Sequence, residues 1–226
     1  MLALFDIDGT LVRRAGSTHR DALVEGVRAV LHMETRNDNI AVHGKLDTEI
    51  LLEMMANAGV PRRRATAALP AIYRAAERYY LREVPALRRK TCPGARRLLY
   101  RLKRRGAVLG LVSGNLERIG WKKLERAGLA NYFRFGTFSE MAATRTGLAR
   151  LAVRHAREKG WINGHSRGML VGDTPNDVEA GRAVGLETLA VATGLCSLED
   201  LATSGATLCA PDLAHLSVHK WIFHHD

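Results

Sequence analysis

The stretch Ala3–Val12, ALFDIDGTLV, places two carboxylates, Asp6 and Asp8, directly after a short apolar run. Like charges two residues apart repel, so a fold that keeps them there must supply either a cation or chemistry that uses the pair. The same design recurs further along. Ala107–Val112 (AVLGLV) is followed by Ser113–Asn115, and Gly168–Val171 (GMLV) by Gly172 and Asp173–Asp177. Each run is short, apolar and bounded by turn-forming or polar residues, the pattern of a strand buried on both faces. Glu187–Val191 (ETLAV) reads as a fourth strand.

Helical periodicity fills the intervals. Ala95–Arg105 puts Leu98, Leu99 and Leu102 on one face, and Leu116–Ala127 and Gly147–Lys159 behave likewise. Strand–helix–strand alternation at this spacing predicts right-handed crossovers and an α/β fold. Its core is a Rossmann-like, mostly parallel sheet flanked by helices. Ligands of such sheets collect beyond the carboxyl ends of the strands. Three polar clusters are therefore expected to converge on one edge of one sheet.

The segment after the first strand differs. Thr18–Met33, Asp47–Ala58 and Pro61–Arg82 are helical in pattern, with Gly59 and Pro61 marking a stop and a restart. The expected organisation is a core of residues 1–12 and 89–226 with a small α-helical insertion, residues 13–88, after the first strand.

Lys and Arg number 34 against 23 Asp and Glu, a net charge of +11. Such a balance attracts anions, including nucleic acid or phosphorylated molecules. The cations are scattered along the chain, and no zinc finger or aromatic-interleaved basic run accompanies them, so nucleic acid is the disfavoured partner. Three unpaired cysteines, Cys92, Cys196 and Cys209, give no disulfide or zinc pattern. No apolar run approaches the roughly 20 residues a membrane-spanning helix needs, and no secretory signal is read at the N-terminus. A cytoplasmic location is expected. Oligomeric state is not readable. The nine histidines, including those of the terminal FHHD, show no metal-ligand spacing and read as surface residues.

Gly9 permits a tight turn beside Asp8. Four carboxylates, Asp6, Asp8, Asp173 and Asp177, meeting at one place call for a hard cation. Mg²⁺ suits them, because it takes oxygen ligands and is commonly held by one or two carboxylates together with a substrate phosphate.

DIDGTLV, LVSGN and GDTPNDV, in this order over nearly the whole chain, resemble the signature motifs of the haloacid dehalogenase-like hydrolase superfamily. The likeness is greatest to its Mg²⁺-dependent, phosphoglycolate phosphatase-like members with a small helical cap. The resemblance implies a phosphatase acting on a small phosphorylated metabolite through an aspartyl-phosphate, with the core catalytic and the insertion its cap. Asp6 matches the nucleophile and Asp8 the general acid/base. The metal would be held by Asp6, the backbone carbonyl of Asp8 and Asp173, with Asp177 supporting the shell. Ser113 and the Gly114 N–H would hold phosphoryl oxygens, with Thr10 and Asn115 beside them. Arg145 matches the cation ahead of the last motif, in a stretch lacking the usual GKP. Lys122 and Lys123 are its rivals, otherwise read as a solvated helix face.

In the cap segment HGKLDTEIL, Lys45 reads first as a solvated lysine and otherwise as a contact to a substrate anion, whereas Asp47 reads first as the N-cap of its own helix. Asp8 argues against a dehalogenase or a phosphonate hydrolase. A sugar-phosphate mutase shares the first motif and stays an alternative. So do a nucleic-acid end phosphatase and a non-catalytic anion-binding module.

Overall fold

A computed structural model of the 226-residue chain describes residues 1–13, 16–36 and 40–223. The last three residues of the FHHD tail lie outside them. Six strands form one sheet: β1 (Leu2–Phe5), β2 (Val108–Val112), β3 (Phe135–Thr137), β4 (Gly168–Gly172), β5 (Glu187–Val191) and β6 (Leu208–Ala210). Their order is β3-β2-β1-β4-β5-β6 and every pairing is parallel. β1 is central, with Leu2 in register with both Val108 and Gly168.

Successive residues of β1 point to opposite faces, and both faces are covered. Ala3 and Phe5 join Leu109, Leu111, Met169 and Val171 in a cluster that also holds apolar residues of α4 (Ala95–Arg104), α5 (Glu117–Ala127) and α9 (Leu216–Phe223). Leu2 and Leu4 face the other way, toward Leu148, Ala149 and Ala152 of α6 (Arg145–Glu158) and Ala180 of α7 (Pro175–Arg182). The apolar runs carry no polar alternation because neither face meets water. The short helix α8 (Leu198–Ala202) packs beside β5 and β6 through Leu201.

β3 and β6, three residues each, were not expected from sequence. They are edge strands, too short to display a period. The helices α7, α8 and α9 were not expected either; the elements that were lie within two residues of their expected ends.

Between β1 and β2 come three helices, α1 (Thr18–Leu31), α2 (Asp47–Asn57) and α3 (Arg62–Glu83). They build an apolar cluster of their own from Leu23, Val27, Leu51, Met55, Leu69 and Ile72. α1 and α3 approach closely where Gly26 meets Ala76; a Cβ on Gly26 would stand 2.9 Å from that of Ala76. Leu116 and Ile119, at the start of α5, complete this cluster and tie the helices to the sheet layer. No helix among the described residues is long and apolar enough to cross a membrane.

Candidate active site

The sheet order reverses direction about β1, so the connections leave β1 and β4 on opposite sides and open a crevice at their carboxyl ends. Asp6 follows β1 and Asp173 follows β4. A cavity of about 150 Å³ lies over them, walled on the sheet side by Asp6, Asp8, Asn115, Lys123, Arg145 and Asp173. The helical insertion closes it with His19, Leu23, Lys45, Ile50 and Tyr80.

Asp6, Asp173 and Asp177 are all buried, and each offers a carboxylate oxygen within 4.8 Å of the others. Burial, reinforced by Asp177 and Asp8 and opposed by Arg145, pushes the Asp6 carboxyl up to about 7. Burial with the charges of Asp6 and Asp177 pushes Asp173 up to about 8. Two carboxylates held that far from their ordinary range mark a site short of positive charge.

The donor set is all oxygen and suits a hard cation. Among the described residues no backbone N–H donates to the Asp8 carbonyl, which leaves that oxygen available to a ligand. The residues present therefore fit a divalent ion.

Two glycines make room for Asp173. Gly9 adopts φ +86°, and a Cβ there would stand 2.2 Å from Asp173 Oδ2. At Gly194 the same distance would be 1.6 Å. The first glycine was legible as part of the opening motif. The second follows β5 and carries no local signal.

Arg145 opens α6 and is 9 % exposed at its side chain. Its Nη1 donates to Asp6 Oδ1 at 3.0 Å and to Asp177 Oδ1 at 2.8 Å. Its Nε is buried and has no hydrogen-bond partner. An unpartnered guanidinium donor on a cavity wall is a place for an oxyanion. Asp177 Oδ2 accepts from the Thr174 hydroxyl at 2.7 Å, closing the capping box of α7. With both oxygens engaged, Asp177 braces Arg145 rather than facing the cavity.

Lys123 corrects an expectation. Lys122 does stand on the outer face of α5, paired with Glu125, but Lys123 is only 5 % exposed. Its ammonium donates to Asp8 Oδ2 at 2.6 Å and to Asn115 Oδ1 at 2.6 Å. Arg145 and Lys123 are both buried in the crevice, one on each carboxylate of the first motif. Asp8 is held below the ordinary carboxylate range; burial works against this, and the Lys123 charge, with hydrogen bonds from Lys123 and Asn115, outweighs it.

Four further residues differ from expectation in placement. Thr10 is fully buried, off the cavity wall, with its hydroxyl 3.4 Å from Asp173 Oδ1. Ser113 is also fully buried; its Oγ accepts from Asn115 Nδ2 at 2.7 Å. Its neighbour Gly114 does line the cavity, and so does Lys45, whose ammonium is held by Glu53. Asp47 does not cap its own helix, whose first turn is closed instead by Glu49 reaching back to the Leu46 N–H at 2.8 Å. Asp47 Oδ2 accepts from the Leu116 N–H at 2.8 Å and from His19 at 2.9 Å, so it caps α5 from the insertion. His19, read as a surface residue, lies half-buried between Asp47 and Lys123.

Fold and crevice together define the class: a doubly wound α/β protein with a helical insertion after its first strand and an acidic centre beneath it. The haloacid dehalogenase-like hydrolase family model matches residues 1–185, and the chain belongs to that family. It is 28 % identical over 199 residues to the phosphoglycolate phosphatase of Aquifex aeolicus (strain VF5), covering 86 % of each chain. A predicted phosphatase from Clostridium acetobutylicum shares the fold with a TM-score of 0.69 at 22 % identity, over 99 % of this chain and 98 % of that one. The β-phosphoglucomutase of Clostridium difficile does so with 0.70 at 14 % identity, over 98 % of both.

Proposed function

We propose that the chain is a Mg²⁺-dependent phosphatase that hydrolyses a small phosphorylated metabolite through an aspartyl-phosphate on Asp6. The observation that carries this reading is the crevice itself. Asp6 lies buried against Arg145 at 3.0 Å, with Asp8 and Asp173 on the same cavity wall. The residues of the core, 1–12 and 89–226, would carry the chemistry, and residues 13–88 would act as the cap that closes over the substrate. Mg²⁺, held by Asp6, Asp173 and the Asp8 carbonyl, would offset the charge that phosphoryl oxygens bring to these carboxylates.

Asp6 attacks phosphorus, and the bond from phosphorus to the ester oxygen breaks. Arg145 meets the phosphoryl oxygens with the donors that Asp6 and Asp177 leave unused, and the Gly114 N–H, beside Arg145 on the cavity wall, supplies another. Asp8 gives a proton to the departing oxygen. In the second half Asp8 takes a proton from the water that attacks phosphorus, and inorganic phosphate leaves Asp6 free.

The cavity is smaller than the 300 Å³ or so at the lower end of common ligand sites. Its size favours a small leaving group, and the activity named for the Aquifex relative makes a phosphorylated hydroxy acid the first compound to try. The three cysteines are free thiols, which supports a reducing, cytoplasmic setting.

Turnover of p-nitrophenyl phosphate with and without Mg²⁺, by wild type and Asp6→Asn, tests the assignment. Wild type should require Mg²⁺, and the variant should lose roughly 10³-fold or more in kcat. Equal rates for the two proteins would remove Asp6 as nucleophile.

A further inference from the structure

Asp8 has two oxygens, and the structure treats them differently. Oδ2 receives both the Lys123 ammonium, at 2.6 Å, and Asn115 Nδ2, at 2.8 Å. Oδ1 has no hydrogen bond from any described residue. We infer that Lys123 is a positioning residue that clamps Oδ2 and so leaves Oδ1 as the oxygen of Asp8 that exchanges protons with the substrate and water. The inference rests on the phosphatase reading and assigns a role within it.

The clamp is fully specified by hydrogen-bond accounting. A lysine ammonium has three donors, and all three are used: Asp8 Oδ2, Asn115 Oδ1 and, at 3.1 Å, His19 Nδ1. A ring that accepts at Nδ1 carries its proton on Nε2, where His19 donates to Asp47 Oδ2 at 2.9 Å. Asp47 is itself fixed by the Leu116 N–H. Asn115 spends its two amide hydrogens on Asp8 Oδ2 and Ser113 Oγ. Every donor therefore has one acceptor, and no member can turn without leaving a buried polar group unpaired, which is costly.

A carboxylate otherwise rotates in a broad, nearly two-fold torsional well that does not distinguish its oxygens. Two hydrogen bonds on one oxygen, one of them charge-assisted, remove that degeneracy. Arg145 provides nothing of the kind to Asp8, because its Nη1 bonds lie on Asp6 and Asp177. The two buried cations thus have separate tasks, one on the nucleophile and one on the proton carrier.

The experiment compares wild type, Lys123→Met and the milder His19→Ala on p-nitrophenyl phosphate and on an alkyl phosphomonoester such as glycerol phosphate, with Mg²⁺ saturating. A nitrophenolate leaves without much help, whereas an alkoxide needs its proton. Lys123→Met should lose roughly 10²-fold or more in kcat on the alkyl ester, less than about tenfold on the aryl ester, with KM nearly unchanged on both. His19→Ala should show the same ordering with a smaller loss. A uniform loss on both esters, or a change confined to KM, overturns the assignment.

A crystal structure of Lys123→Met gives a second readout that needs no turnover. The Asp8 carboxylate should be rotated or split between two orientations, and an unchanged torsion overturns the proposal. If wild type hydrolyses neither ester, the phosphatase reading fails, and this structure alone decides whether Lys123 orients Asp8.

Discussion

Arg145 and Asp6 stand 139 residues apart in sequence and 3.0 Å apart in the crevice. Both side chains are almost entirely out of water. Two more carboxylates, Asp173 and Asp177, lie in the same pocket of charge. One guanidinium therefore opposes several buried acids, and this imbalance sets most of the site's measurable behaviour.

Removing Arg145 leaves those acids without their shared cation. Breaking a buried ion pair by deleting one partner costs roughly 3–5 kcal/mol, and Arg145→Ala should lose about that much stability in urea unfolding without Mg²⁺. Arg145→Lys should recover part of the stability and less of the activity, since a single ammonium nitrogen lacks the planar fork that holds Asp6 and Asp177 through Nη1 and keeps other nitrogens free for an oxyanion. A stability loss below about 1 kcal/mol for the alanine variant would mean that the guanidinium is not the site's main counter-charge.

The pH dependence of stability follows from the raised carboxyls. In the folded chain Asp6 holds its proton up to about 7 and Asp173 up to about 8, against 3.8 for an ordinary Asp. Below 3.8 both the folded and unfolded states are protonated at these groups. Between that value and about 7–8 the folded state binds more protons, so the cluster's contribution to stability falls as pH rises through this window. A Mg²⁺ ion held as proposed by the ionised cluster would have to displace those protons at low pH. Its stabilisation should be several degrees in Tm near pH 8.5 and close to nil near pH 5.5, read by thermal denaturation. An equal shift at both pH values would count against the acidic cluster as the ion's site.

Gly194→Ala isolates the space around Asp173. A Cβ there would stand 1.6 Å from Asp173 Oδ2, so the carboxylate must move. The fold should survive, and the Mg²⁺ concentration for half-maximal activity should rise about 10–100-fold, the range seen when groups that orient metal ligands are disturbed. An unaltered Mg²⁺ requirement in a folded variant would show that Asp173 is not a ligand.

Asp47→Ala removes the acceptor that caps α5 and holds His19. The loss of a helix cap costs about 1 kcal/mol and up to about 2, and the orphaned His19 proton adds to it. Urea unfolding should read roughly 1–3 kcal/mol. A neutral result would mean that the insertion does not cap the core helix.

The strands β1, β2, β4 and β5 and the placement of Asp6, Asp8 and Asp173 could be read from the chain alone; only the family resemblance points to Arg145, with Lys122 and Lys123 as rivals. Buried parallel strands are apolar without interruption, and the residues that end them are polar because that edge holds the site. The helices of the insertion were equally legible through their 3.6-residue period. Sequence could not separate Lys122 from Lys123: the two are one residue apart, yet about 100° of helix turn sends one to Glu125 at the surface and the other into the crevice. It could not show that Asp47 caps α5 rather than α2, nor that Gly194 clears room for Asp173. In each case the deciding partner lies far away in the chain. Local pattern records which face a residue occupies within its own element; what waits on the far side of that face is set only when the elements pack.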